Sequence, residues 1–253
     1  MSENEVTNVV WQILLWTLAG IAGVFLAYIL LVIVSALLVD RKKEYEKESR
    51  YYRFLLNSTT FLAAKLIRIR LHVTGAEKLP GGRFLMVCNH RSKFDPILTW
   101  LVFGDRQLTF ISKPENFKVP VFGRLIHRLR FMPIDRENPR NAVKTINRAV
   151  DLLTRDEANV AVYPEGTRNY GEGLLPFHNA MFKIAQQAHV PLVILTVRNT
   201  YDIQKNYPLR RSHVYIDVAR VLDADEVKKT KTAVLGESVR EIMLTSLNGG
   251  EQS

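Results

Sequence analysis

Two short segments carry residues whose types and spacing suit acid–base chemistry on an anionic substrate. In Asn89-His90-Arg91-Ser92-Lys93-Phe94-Asp95-Pro96 a histidine precedes an aspartate by five positions. On one continuous helix that spacing would turn the two side chains about 140° apart. Across a strand-turn-helix junction, with Asp95 as N-cap and Pro96 in the first helical position, the turn folds the carboxylate back toward the imidazole. So paired, Asp95 fixes the tautomer of His90 and stabilises its imidazolium form, and the other ring nitrogen takes a proton from a hydroxyl. Taken alone, the segment equally allows a plain capping aspartate beside a loop histidine. The second segment is Val162-Tyr163-Pro164-Glu165-Gly166-Thr167-Arg168. Gly166 lets the backbone approach a ligand closely, Arg168 offers a phosphate two parallel donors, and Glu165 orients that arginine or braces the turn. An ordinary surface turn with a solvated arginine is the other reading of these residues.

Each segment follows an unbroken apolar run, Phe84 to Cys88 for the first and Val160 to Tyr163 for the second. Runs of this kind read as strands covered on both faces, and further ones occur at 108–111, 131–134, 192–197 and 214–218. Between them, residues 139–154 place Ala142, Val143, Ile146, Ala149, Val150 and Leu153 on one helical face, with Asn138 as N-cap and Pro139 at N1. Residues 177–188 and 233–247 read as further helices. The fold class expected is α/β, a largely parallel sheet flanked by helices, in which both segments emerge on the same edge, where ligands bind. Residues 119–130 space Val121, Phe122, Leu125, Ile126 and Leu129 helically, either to face a membrane or to pack on the sheet.

The N-terminal third must place this domain. The chain has 253 residues, 47% of them hydrophobic, and a formal charge of +10, which favours an anionic membrane face or nucleic acid as partner. Val9 through Val39 holds no charged residue. As a helix it is roughly 46 Å long against a bilayer core of about 30 Å, so it spans with tilt or re-enters the interface, alone or as a helical hairpin. The acidic leader Ser2-Glu3-Asn4-Glu5 does not suit a signal peptide. Arg41-Lys42-Lys43, Lys47, Arg50 and Arg53 follow the apolar run, which places the catalytic domain on the cytoplasmic face and offers cations to anionic membrane lipids. Residues 40–50 are expected to extend the helix out of the bilayer. Residues 51–71 read as an amphipathic helix, either on the membrane surface or on the domain. The expected divisions are 1–71 for the anchor, 72–247 for the catalytic domain and 248–253 for a disordered tail. Cys88 stands alone, and His72, His127, His189 and His213 have no partners at ligand spacing, so neither a disulfide nor a metal site is expected. No nucleic-acid reader motif occurs, and no Gly-x-Ser-x-Gly elbow.

Taken together, His90 to Asp95 and Pro164 to Arg168, about 70 residues apart, resemble the two main blocks of the glycerolipid acyltransferases, specifically the 1-acylglycerol-3-phosphate (lysophosphatidic acid) O-acyltransferases. Lys113 to Gly123 with Phe131 to Arg136, and Val190 to Val193, are similar to the family's second and fourth blocks. The resemblance implies a glycerol-3-phosphate acyltransferase-like fold, with His90 and Asp95 as the catalytic pair. It implies that Glu165, Gly166, Thr167 and Arg168, with Arg136 as helper, hold a lysophospholipid acceptor. The reaction implied is transfer from a thioester, acyl-CoA or acyl carrier protein, to the sn-2 hydroxyl of lysophosphatidic acid, with no bound cofactor. Another lysolipid or glycerol-3-phosphate is the alternative acceptor, and a non-catalytic basic lipid-binding protein the alternative class. Two departures bear on the acceptor: His178-Asn179-Ala180 stands where lysines and a glycine are common, and Ile194 where a proline is.

Overall fold

The computed structural model describes residues 3–135 and 138–249. It opens with α1 (Glu3–Leu37), a single unbroken helix of 35 residues, long and apolar enough to cross a membrane. Side chains from Asn4 to Ala27 are exposed, and only the last turns meet the domain, through Val32, Ala36 and the following Val39. The helix stops at Leu37 instead of continuing through the charged stretch. α1 has no basic residue in its last turn, and Arg124 fills that role from another element, donating to the carbonyls of Val39 at 3.0 Å and Leu37 at 3.4 Å. Residues 38–49 are then stapled down as a loop: His127 meets the Lys43 carbonyl, Arg128 donates to that of Lys47, and Arg41 to that of Phe117.

α2 (Arg50–Leu66) returns antiparallel to α1, with Tyr51 and Tyr52 bonded to Ser35 and Ser58 and Thr59 to Tyr28. Its buried face, Leu55, Leu56, Thr60 and Ala64, packs on the domain while Phe54 and Phe61 stay exposed. The helix ends earlier than its composition suggests. Arg68 takes a positive φ of 62°, and β1 (Ile69–Thr74) begins one residue later, within the stretch expected to be helical. The residues Ile-Arg-Leu-His-Val-Thr alternate strictly, which is a strand period.

The remaining elements are β2 (Leu85–Cys88), α3 (Asp95–Phe103), β3 (Leu108–Ser112), α4 (Phe122–Arg128), β4 (Met132–Pro133), α5 (Pro139–Thr154), β5 (Asn159–Val162), α6 (Lys183–Ala188), β6 (Leu192–Arg198), α7 (Asp202–Asn206), β7 (Ser212–Leu222), α8 (Ala224–Lys229) and α9 (Thr232–Gly249). They form a seven-stranded sheet in the order β1-β7-β6-β2-β5-β3-β4, parallel except between β6 and β7. The α/β architecture expected from the apolar runs is therefore the one observed. Along β2, Met86 and Cys88 face the core under α2, α3 and α4, whereas Leu85 and Val87 face the core under α5, α6 and α9. Asn138 caps α5 as expected, accepting from the amides of Arg140 and Asn141. α9 runs through Gly249, two residues into the expected tail, and residues 250–253 lie outside the described residues.

The helix expected over 119–130 shortens to α4, which packs inward: Leu125, Ile126 and the adjoining Leu129 are in the core. Its arginines serve the loop after α1. Gly123 permits the tight entry to this helix, since a Cβ there would lie 2.3 Å from the Phe117 carbonyl oxygen.

Candidate active site

β2 and β5 lie side by side and parallel, with Val87 opposite Val162, so the two segments leave the same edge as neighbours. Asn89 continues the ladder with its side chain, donating to the Val197 carbonyl at 3.0 Å and accepting from the Val197 amide at 2.7 Å. His90 follows and is fixed from every side. Its amide donates to Glu165 Oε1 at 2.7 Å, its carbonyl accepts from the Asn169 amide at 2.7 Å, and its ring packs 4.6 Å from that of Tyr163. Its Nδ1 lies 2.9 Å from Asp95 Oδ2.

Asp95 is fully buried and saturated with partners. Oδ2 also accepts from the amides of Arg91 at 2.6 Å and Ser92 at 2.7 Å, and Oδ1 accepts from the Thr200 hydroxyl. Its role in the helix differs from that read in the sequence. Phe94 is the N-cap of α3, Asp95 the first helical residue, and the carboxylate makes no capping bond to the helix because it is turned back into its own turn. The fold-back brings His90 and Asp95 together all the same.

Glu165 is buried and braces the two segments against each other: Oε1 holds His90 and Oε2 accepts from the Leu175 amide at 3.0 Å. Its carboxylate thus serves backbone amides, where the sequence suggested an acceptor contact. Burial raises its pKa, partly offset by those two N–H donors. Gly166 supplies a left-handed φ of 70° that turns the chain toward the rim. Thr167 and Arg168 are exposed, and the Arg168 guanidinium lies 5.8 Å from the centre of the Tyr170 ring. Arg136 lies outside the described residues.

A cavity of about 700 Å³ opens in front of His90. Its inner wall is apolar, with Trp100, Phe110 and Phe131 from the domain and Leu56 from α2. Its rim is cationic, with Lys93, Lys113 and Arg168, beside His178. Asp95 engages Nδ1, and among the described residues no protein group takes Nε2, so the imidazole presents an unengaged nitrogen to the cavity. Burial keeps the Tyr163 phenol and the Cys88 thiol well above their ordinary pKa values, so both stay protonated and neutral beneath the histidine.

Sequence reasoning missed Lys93 and Lys113 as rim cations. Lys113 directly follows β3, next to β5 in the same parallel sheet, so its place at this edge was deducible from strand order alone. Thr200 carried no local signal, because it reaches Asp95 from 105 residues away.

The arrangement sets an imidazole with one unengaged nitrogen before an apolar slot rimmed by cations. The acyltransferase family model matches residues 70–198. A 1-acyl-sn-glycerol-3-phosphate acyltransferase of Saccharomyces cerevisiae is 26% identical over 72% of the chain and 61% of its own length. One from Salmonella typhimurium is 28% identical over 64% of the chain and 66% of its own length, and the alpha form of Mus musculus 29% over 72% and 65%. The chain thus spans less than two thirds of these relatives' lengths. The crystal structure of the 1-acyl-sn-glycerophosphate acyltransferase PlsC from Thermotoga maritima superposes with a TM-score of 0.68 over 98% of both chains at 21% identity, which establishes the shared fold. This chain belongs to the acyltransferase family.

Proposed function

We propose that the protein transfers a fatty acyl group from a thioester, acyl-CoA or acyl carrier protein, to the sn-2 hydroxyl of lysophosphatidic acid, forming phosphatidic acid for phospholipid synthesis. The observation that carries this reading is the placement of His90 between an apolar cavity and a cationic rim, with Nδ1 committed to Asp95. In this mechanism Nε2 removes the hydroxyl proton as the oxygen bonds to the thioester carbonyl carbon. The tetrahedral intermediate then expels the thiolate, which takes the proton from the imidazolium and leaves as free thiol. Asp95 holds the tautomer and stabilises the transient cation. Arg168, with Lys113 and Lys93 beside it, grips the acceptor phosphate.

α1 inserts in the membrane, and the cations that follow it favour a cytoplasmic placement for the domain. The relatives' names and the rim chemistry support lysophosphatidic acid as acceptor. The deciding experiment assays purified protein with both donor types against lysophosphatidic acid, lysophosphatidylcholine and glycerol-3-phosphate. Preference for lysophosphatidic acid is the expected result. Preference for another acceptor overturns the substrate, and absence of transfer to all three overturns the enzyme reading.

A further inference from the structure

A second cationic site lies away from the catalytic edge. Pairing of β1 with β7 sets Ile69 opposite Ser212 and Arg70 opposite His213, which brings the end of α2 against the loop preceding β7. The Arg68 guanidinium donates to the Leu209 carbonyl at 2.9 Å, and the Ser212 amide donates to that of Arg68 at 3.3 Å. The seam carries an open surface pocket of about 180 Å³ lined by Lys65, Arg68, Ile69, Arg70 and Arg211, with Arg210 next in the chain. Among the described residues none of these five cations has a carboxylate within ion-pairing distance.

Apolar side chains stand around this cluster. Leu209 is 83% exposed, Leu66 59% and Tyr207 56%. A basic pocket edged by protruding leucine and tyrosine suits the bilayer interface, where apolar groups enter the acyl boundary and cations meet phosphates. Its position agrees. α2 is antiparallel to α1, with residue 51 beside 35 and 58 beside 28, so the end of α2 points the way that the bare part of α1 projects. The Arg41 to Lys47 segment lies at the opposite end of the helix pair, where it is tied to α4 and to the Phe117 carbonyl before it.

We propose that Lys65, Arg68, Arg70, Arg210 and Arg211 form a headgroup site for an anionic phospholipid of the leaflet that α1 enters. This assignment rests on the membrane placement of α1 and not on the identity of the acyl acceptor. The site holds the lipid phosphate while Leu66, Tyr207 and Leu209 dip beside it.

The test reconstitutes the full chain in nanodiscs of phosphatidylcholine, with or without phosphatidylglycerol. Acetylation of Lys65 is followed by mass spectrometry, with Lys229 on α8 as reference. Phosphatidylglycerol should slow Lys65 labelling several-fold at low salt, and added salt should weaken that protection. Arg210→Gln with Arg211→Gln, which spares the Arg68 tie to Leu209, should reduce lipid affinity by about fivefold per charge removed. Equal labelling in both lipids, or protection unchanged in the double variant, overturns the site. Protection by inorganic phosphate in neutral nanodiscs equal to that by phosphatidylglycerol overturns the lipid assignment in favour of a soluble anion. Failure of the protein to enter nanodiscs overturns the membrane placement beneath it, and acyl transfer, assayed on the same samples, reports separately on the enzyme reading.

Discussion

The two halves of the candidate active site are built by opposite means. At the corner of His90 and Asp95 both carboxylate oxygens of Asp95 and the whole backbone of His90 are bonded to protein, and the imidazole is only 16% exposed. At the rim, Arg168 is exposed and rests against Tyr170. A base held in one orientation acts without reorganising, whereas an exposed guanidinium with no hydrogen-bonded support among the described residues must be ordered by its ligand and gives up part of its binding energy in doing so. The corner should therefore govern kcat and the rim KM.

The largest effect expected is from His90→Ala, which should lower kcat by about a hundred- to ten-thousand-fold while the protein still folds and inserts. Near-normal turnover in that variant would break the corner's half of the contrast. Next is Arg168→Ala, where losing a charge-assisted hydrogen bond should cost roughly ten- to hundredfold in kcat/KM for lysophosphatidic acid, chiefly through KM. Lysophosphatidylcholine should be affected much less. A uniform loss across acceptors would make Arg168 structural.

Thr200→Val sharpens the contrast from within the corner, because it leaves Asp95 Oδ1 buried without its donor. That should destabilise the protein by about 1–3 kcal/mol and lower kcat with little change in KM, and Thr200→Ser should restore both. A melt of detergent-solubilised protein beside the kinetics checks it. The smallest effect concerns Glu165. Its folded pKa is raised, so the stability it contributes is fully present below the ordinary carboxylate value and declines as pH rises through the folded one. The melting-temperature advantage of wild type over Glu165→Gln should therefore shrink from acid toward neutral pH. An advantage that grows over that range would contradict the burial argument.

The sheet edge and the position of the two candidate turns on it were legible in the sequence because apolar runs report buried strands and parallel strands share an exit side. The N-cap of α5 was legible because Asn138-Pro139 is a local signal. β1 was hidden behind α2: Arg68 and Arg70 read as the polar face of a helix, and the break depends on a left-handed Arg68 that no composition announces. The end of α1 was misplaced for a similar reason. Arg124, His127 and Arg128, some 80 residues onward, hold residues 39–47 in a loop. Glu165 was legible as a brace, but the two amides it holds were not, since they lie in other segments.

α2 is one helix thick between the cavity and the outside. Leu56 and Thr60 line the cavity from one face, while Phe54 and Phe61 stand exposed on another. With that outer face in lipid, a lysolipid could reach His90 by lateral diffusion without ever dissolving in water. Turnover would then obey surface-dilution kinetics: adding inert lipid at constant total substrate would slow the enzyme, because the relevant concentration is the mole fraction of acceptor in the leaflet.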